Sequence, residues 1–540
     1  MKLKNENSVQ KLRGAYYTPY DLATSMISKF ITPLEKMSIL EPSCGDGVFI
    51  ESLLNSGFKK NNITAVEIEK EEIDKLKKKY SSNKKIKLIN KDFFDFYLNN
   101  KKKFDLIIGN PPYIRYQYLD ELQRAQMSKI LKDSGMKPNK LINAWVGFVV
   151  ACSNILSQNG TLAFVVPAEL LQVVYAKELR KFLSNKFSEI NIVTFKKLIF
   201  QDIEQEIVLL ICKKSNINGI RIIQMNDIFD FKNCDVSEFE FQNIDNDTEK
   251  WTKYFINSEQ TILIDSIKDN DNFQKLSNVA IINVGITTGN NNYFSIDKEI
   301  NGTYNLQEYC IPLIGKSCQV HSVFFTIEDL IKNYNKNRKS YLLTIENKPK
   351  EELGKELKLY LDYGESVGVN KGYKCEIREY WYCVPSIWVP DAFFARRNNF
   401  YPKFIINNCN AVSTDTMHRL KFKNGYDPNE IVLSYYNSIS FAFTEICGRS
   451  YGGGVLEILP SEVGNIYLPI ISNMTALTKK ELLYQIDLMV RNGEKIENIL
   501  DYGDKKILIE YLGLSEEYCQ KFRKIWKTLQ CRRLERIKNK

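Results

Sequence analysis

The chain has 540 residues, too many for one ordinary hydrophobic core, so two or three domains are expected. Its 44% hydrophobic content suits a globular protein; no apolar run nears the ~18 residues of a membrane span, and the polar start MKLKNENSVQKLRG has no signal-peptide core, so a cytoplasmic protein without membrane contact is expected. Twelve Cys without a C-x-x-C pair and only two His argue against zinc and against a disulfide framework, while a formal charge of +10 is compatible with a polyanionic partner without demanding one.

Residues 13–30 (RGAYYTPYDLATSMISKF) read as a loop entering a helix, with Pro19 suited to the first turn and Leu22, Met26 and Phe30 on one face. Tyr16, Tyr17 and Thr18 form a polar and aromatic lip before it. Next, in MSILEPSCGDGVFIESLL, Ile39 and Leu40 end a strand, Gly45 and Gly47 make a tight turn, and Val48, Phe49 and Leu53 open a helix. Small residues there let a ligand approach the backbone while helix N–H groups point at it. Ile50 stands where a dinucleotide fingerprint needs its third glycine. A phosphate-binding loop is absent too, since the only Gly-Lys-Ser (315–317) has Cys310 at the upstream glycine position. Glu41 at the strand end suits a cationic or amine-bearing ligand. A plain strand–turn–helix connection is the competing reading.

Roughly 20 residues on, ITAVEIE gives a second strand ending in Glu67, the spacing at which a carboxylate can accept both ribose hydroxyls. Ile68 beside it could pack on a purine. A third strand, IKLIN, leads to Lys91, Asp92, Phe93 and Phe94. Each acid alone reads as a surface charge; three successive strands tipped by Glu41, Glu67 and Asp92 read as a rim.

The fourth strand, FDLIIG, delivers Asn110, Pro111, Pro112 and Tyr113 in succession. The two prolines fix φ and remove backbone donors, and the first keeps Asn110 out of the helical region. An amide, a carbonyl and an aromatic ring are thus presented at a strand end, where open α/β sheets bind ligands. An apolar helix over 141–156 and strands over 161–167, 190–195 and 206–212 follow. Residues 1–215 are therefore expected to form one doubly wound, mostly parallel, seven-stranded α/β sheet. Residues 216–274, acid-rich in part, read as a linker or peripheral segment. Residues 275–470 mix aromatics, amides and basic residues in short β-like runs, which suits contact with phosphates and base edges or a second domain with a busy surface. Residues 471–540 read as helical, with Tyr518, Phe522, Ile525, Trp526 and Leu529 on one face and a basic tail.

Rim acids and a glycine turn describe a site for a nucleoside-bearing amino acid, a description that S-adenosylmethionine matches. An aromatic amine is a poor nucleophile because its lone pair is delocalised. If the Asn110 oxygen and the Pro111 carbonyl each accept one N–H, the nitrogen can become tetrahedral, by positioning and electrostatics alone.

GAYYTP, LEPSCGDG, AVEIE, NKDFF and GNPPYI, in this order and spacing, resemble the γ-type N6-adenine DNA methyltransferases of restriction–modification systems. That resemblance implies a class I S-adenosylmethionine-dependent methyltransferase, Rossmann-like in fold, with a C-terminal mixed α+β target-recognition region at 275–470 and a helical tail. It implies cofactor contacts at Tyr17, Thr18, Glu41, Pro42, Gly45, Gly47, Glu67, Ile68, Asp92 and Phe93. Catalysis falls on Asn110, Pro111, Pro112 and Tyr113, with Tyr113 and Phe200 (in IFQDIEQEIVLLI) stacking on a base flipped from duplex DNA. The implied partners are double-stranded DNA and a separate restriction endonuclease for the same site, and the implied location is the bacterial nucleoid. Two alternatives stand: an NPPY enzyme acting on RNA or a protein glutamine amide, and a catalytically degenerate DNA-reading subunit. Cytosine C5 chemistry is excluded by the lack of any Pro-Cys dipeptide.

Overall fold

The structure is a computed structural model, and it describes residues 17–139, 142–200, 205–244, 250–450 and 454–538. Tyr16 of the GAYYTP motif, residues 201–204 of the IFQDIEQ segment and residues 451–453 of GRSYGGGV lie outside the described residues. The chain divides into two compact units, one ending at Ser258 and one running from Glu259 to Ile537. No described helix is long and apolar enough to cross a membrane.

The first unit alternates strands and helices: α1 (Tyr20–Phe30), β1 (Ser38–Glu41), α2 (Val48–Asn55), β2 (Asn62–Glu67), α3 (Lys70–Lys79), β3 (Ile86–Asn90), α4 (Phe93–Asn99) and β4 (Phe104–Gly109). After β4 come α5 (Glu121–Asp133), α6 (Ala144–Ile155), β5 (Leu156–Pro167), α7 (Lys177–Lys186), β6 (Glu189–Phe195), β7 (Ile207–Lys213) and β8 (Gly219–Met225). They build one sheet in the order β3-β2-β1-β4-β5-β7-β6-β8. All neighbours are parallel except β7, which runs against both β5 and β6. This is the doubly wound, class I methyltransferase arrangement expected.

Strand alternation assigns the core. Ile39, Leu106 and Ile108 point to one face and pack with Leu22, Met26, Phe49 and Leu53 of α1 and α2. Leu40 and Ile107 point to the other, against Met127, Trp145 and Val149 of α5 and α6. Both faces are covered, so the central strands are apolar throughout. Helix α6 is buried nearly all round, which explains its lack of a polar face.

One boundary changes. The sheet has an eighth strand: β8 pairs in parallel with β6 from Glu189↔Gly219 to Phe195↔Met225. The catalytic sheet therefore does not stop at residue 215, and the segment expected as a linker supplies an edge strand and a covering helix over Ile228–Asn233. The acid-rich stretch that follows hid it. GIRIIQM by itself has the β-branched alternation of a strand.

The second unit holds a five-stranded sheet (280–284, 417–422, 392–395, 404–407 and 324–325, in that order) and a four-stranded sheet centred on Cys310–Ile314 and Tyr341–Leu343. Its helices include Ser438–Cys447, Ala476–Arg491 and Glu516–Lys538. Because the 471–540 helices lie in the same compact unit as 275–470, the expected division at residue 470 is not a division of the fold. Many of the aromatics interleaved with its basic and amide residues serve its core. Tyr293 stacks on Tyr360 with centroids 4.5 Å apart and an interplanar angle of 9°, and Tyr382, Phe393, Phe394 and Phe404 are buried.

Candidate functional site

Strand order reverses at β1: β2 lies on one side and β4 on the other, so crossovers leave in opposite directions and open a crevice at the carboxyl ends. A cavity of about 290 Å³ lies there. Its walls include Tyr17 and Thr18, the β1–α2 turn, Glu67 and Ile68 after β2, Asp92 and Phe93 after β3, and Asn110 and Pro112 after β4. Five motifs scattered over about a hundred residues thus meet in one place.

The glycine turn is shaped by backbone sterics. Gly45 and Gly47 take φ of 48° and 80°, in the left-handed region that side chains disfavour. A Cβ on Gly47 would also lie 2.6 Å from Leu76 Cδ2. The turn in turn organises Glu67: Gly45 N–H donates to Oε2 at 2.8 Å and Glu69 N–H to Oε1 at 3.0 Å. Each carboxylate oxygen has a second lone pair, so Glu67 can still accept from a diol.

Glu41 is the unusual acid. It is 1% exposed, and its Oε2 has no hydrogen-bond partner among the described residues. Burial, with Asp46 and Glu67 adding repulsion, pushes its carboxyl well above the ordinary range. A buried acid on a cavity wall, one of whose oxygens has no partner among the described residues, fits a ligand that brings a positive charge. Burial also raises Asp46 on the same wall.

Asp92 caps α4, its Oδ1 accepting Asp95 N–H at 3.1 Å, while Oδ2 accepts Gln123 Nε2–H at 2.9 Å. Phe93 beside it is buried and stacks on Phe148 with centroids 4.5 Å apart. Ile68 is 55% exposed on the cavity rim, free to cover a flat ring.

Asn110 is half-buried, and its Nδ2–H donates to Thr18 Oγ at 3.2 Å. With the NH₂ group turned to Thr18, the amide oxygen is the atom offered as acceptor. Ser43 Oγ donates to the Asn110 carbonyl at 3.2 Å, tying the β4 turn to the β1 turn. Tyr113 is half-buried, donates to the Val165 carbonyl at 3.3 Å and packs against both core clusters.

Four expected site residues do not line the cavity: Gly47, Pro111, Tyr113 and Phe200. Gly47 acts through the turn, and Pro111 is buried. Phe200 is 7% exposed within the core cluster of the α1 face, so stacking on a base would require its ring to leave that cluster. Sequence reasoning missed Ser43, Asn90 (which donates to the Glu67 and Ile68 carbonyls at 3.0 and 2.9 Å), Gln123 and Phe148. Only Gln123 carried a signal, as the fourth residue of the capping pattern D-x-x-Q at 120–123.

Residues 17–200 match the family model of the Eco57I restriction-modification methylase, and residues 248–508 match that of the C-terminal domain of the Type II methyltransferase M.Eco57I. The chain is 25% identical over 533 residues to the Type II methyltransferase M.AccI of Acinetobacter calcoaceticus, covering 92% of this chain and 95% of that one. It is 33% identical over 228 residues to the Type II methyltransferase M.HincII of Haemophilus influenzae, covering 41% of this chain and 42% of the relative. It therefore spans nearly all of the first but less than half of the second. Among solved structures, the DrdV–DNA complex overlaps 81% of this chain and 54% of its own at a TM-score of 0.49 and 13% identity.

Proposed function

The chain belongs to the DNA methyltransferases of restriction–modification systems, and from that premise we propose that it methylates N6 of an adenine flipped out of duplex DNA, using S-adenosylmethionine. The observation that carries this reading is Asn110, held by Thr18 at the end of β4, on the wall of the cavity rimmed by Glu41, Glu67 and Asp92.

The donor set fits the cofactor. Glu41 would face the amino-acid ammonium, Glu67 the ribose hydroxyls, Asp92 the adenine amino group and Ile68 the purine face. When bound, S-adenosylmethionine supplies an electrophilic sulfonium methyl. The chain's own groups do the rest. The Asn110 side-chain oxygen and the Pro111 carbonyl accept the two N6 hydrogens, which draws the nitrogen out of conjugation and stabilises the positive charge that develops there. Pro111 and Pro112 hold those acceptors in a stiff arc, so little orientation is lost on binding. Tyr113 supplies a ring for stacking, which helps offset the few kcal/mol of unstacking a flipped base costs. Residues 275–470 are assigned to target recognition, and a separate endonuclease for the same site to the role of partner.

Long-read modification mapping of DNA from cells expressing the protein tests base and motif together. N6-methyladenine at one defined motif is expected, with Asn110→Ala lowering methyl transfer by about a hundredfold or more while S-adenosylhomocysteine still binds. Robust N6 methylation by Asn110→Ala, or methylation of another base, would overturn the proposal.

A further inference from the structure

Helix α5 opens with a closed hydrogen-bond ring that reaches into the cavity wall. Asp120 Oδ1 accepts Gln123 N–H at 2.8 Å, and Gln123 Oε1 accepts Asp120 N–H at 3.2 Å. The side-chain oxygen of Gln123 is therefore committed to its own helix end, and the orientation of its amide is chemically fixed. Its NH₂ group must then face outward, and it donates to Asp92 Oδ2 at 2.9 Å. Turning the amide over would set oxygen against oxygen at Asp92 and release the Asp120 N–H.

The other oxygen of Asp92 is the cap of α4, accepting Asp95 N–H. Both oxygens of one carboxylate are thus anchored, one from α4 and one from α5. Gln123 and Asp92 both line the cavity. A carboxylate has about four lone-pair sites, so the two anchoring bonds leave acceptors available and fix their direction. An anchored carboxylate accepts from an amino group and repels a carbonyl oxygen.

Building on the cofactor assignment above, we infer that Gln123 is a positioning residue: through Asp92 it makes this cavity select a 6-aminopurine over a 6-oxopurine. Gln123 makes no bond in the reaction. It holds one oxygen of Asp92 from the arm that follows Tyr113, so the purine end of the cavity is set by a helix that begins eight residues beyond the NPPY turn.

The test is calorimetric binding of S-adenosylhomocysteine and S-inosylhomocysteine to the full-length protein and to three variants. Gln123→Met fills similar space without a donor. Gln123→Glu keeps an oxygen for the Asp120 N–H but opposes Asp92 with a second carboxylate. Both should weaken the adenosine ligand about tenfold, the loss of one hydrogen bond to a charged group, and leave the inosine ligand within about twofold. The KM for S-adenosylmethionine should rise in parallel, with kcat at saturation nearly unchanged. Equal weakening of both ligands would make Gln123 merely structural and overturn the inference, as would wild-type selectivity in both variants. Asp92→Asn separates the two claims: if it also preserves wild-type selectivity, the assignment of Asp92 to adenine fails; if it alone loses selectivity, only the role of Gln123 fails.

Discussion

At the scale of single residues, the carboxyl of Glu41 carries the plainest physical consequence. Its folded-state pKa lies above the ordinary 4.5, so the unfolded chain gives up this proton at lower pH than the folded one. Between those two pKa values the folded state loses stability as pH rises. Glu41→Gln should therefore raise the melting temperature of the ligand-free protein at pH 8, with the gain shrinking as pH falls toward 4.5, in thermal scans of both proteins. The same substitution should weaken S-adenosylhomocysteine binding, because under the proposed assignment it removes the anion that would face the ligand's ammonium. A destabilised Glu41→Gln at pH 8 would mean the acid is already paired. Gly285 gives a second residue-scale expectation. A Cβ there would lie 1.9 Å from the Thr414 carbonyl oxygen and 2.7 Å from that of Met417, in a backbone crossing already used by Gly285 N–H and Ile286 N–H. Gly285→Ala should cost about 3 kcal/mol by overpacking, measured by urea unfolding. Glu41 was legible in the sequence because it ends a strand before a glycine turn. Gly285 was not legible in the sequence, since the backbone that crowds it lies more than a hundred residues away.

At the scale of elements, the terminal helix Glu516–Lys538 shows where sequence reading reaches its limit. Its apolar face was legible from spacing: Phe522, Ile525, Trp526 and Leu529 are buried, while Tyr518, expected on the same face, is half-buried. Its basic residues read as phosphate contacts or a solvated end, and several do a third thing. Arg533 is 1% exposed; it donates to both oxygens of Glu445 and to the carbonyls of Asn399, Phe400 and Gly454. Arg523 bonds Asp504 and Lys527 bonds Glu497. A charge count cannot distinguish an Arg that meets a phosphate from one that meets a buried Glu far along the chain. Arg533→Ala should destabilise by about 3 kcal/mol in denaturant titration, because Glu445 stays buried without its cation, whereas Arg533→Met with Glu445→Leu should recover most of the loss. An Arg533→Ala chain of unchanged stability that binds DNA poorly would restore the phosphate reading. The first three catalytic strands were easier to read, since Glu41 and Glu67 end β1 and β2, Asp92 follows β3, and each strand leads into a helix. The eighth strand was lost to its neighbours' composition.

At the scale of the whole molecule, each unit has its own buried clusters: Leu40, Ile107, Trp145 and Ile39, Leu106, Val193 in the first, Phe294, Tyr360, Leu361 and Phe393, Ile405, Met417 in the second. A unit with its own core can fold alone. Every residue on the cavity wall lies in the first unit, so cofactor binding should survive separation at Ser258. Site choice should not. The second unit keeps exposed amide and basic groups beside its buried aromatics, including Arg397, Asn399 and Lys374, the kind of groups that read base edges and phosphates. A fragment ending at Ser258 should therefore bind S-adenosylhomocysteine within a few-fold of the full chain and melt as one cooperative unit, yet methylate no defined motif in sequencing of modified DNA. The full chain should bind its motif with an affinity that falls steeply with salt, because phosphate contacts release counterions. If the fragment marks the same motif as the full chain, sequence reading lies within the catalytic unit and the role assigned to residues 275–470 is wrong. If it fails to bind S-adenosylhomocysteine although folded, the cavity at the ends of β1 to β4 is incomplete without the second unit, and the site assignment itself must be redrawn.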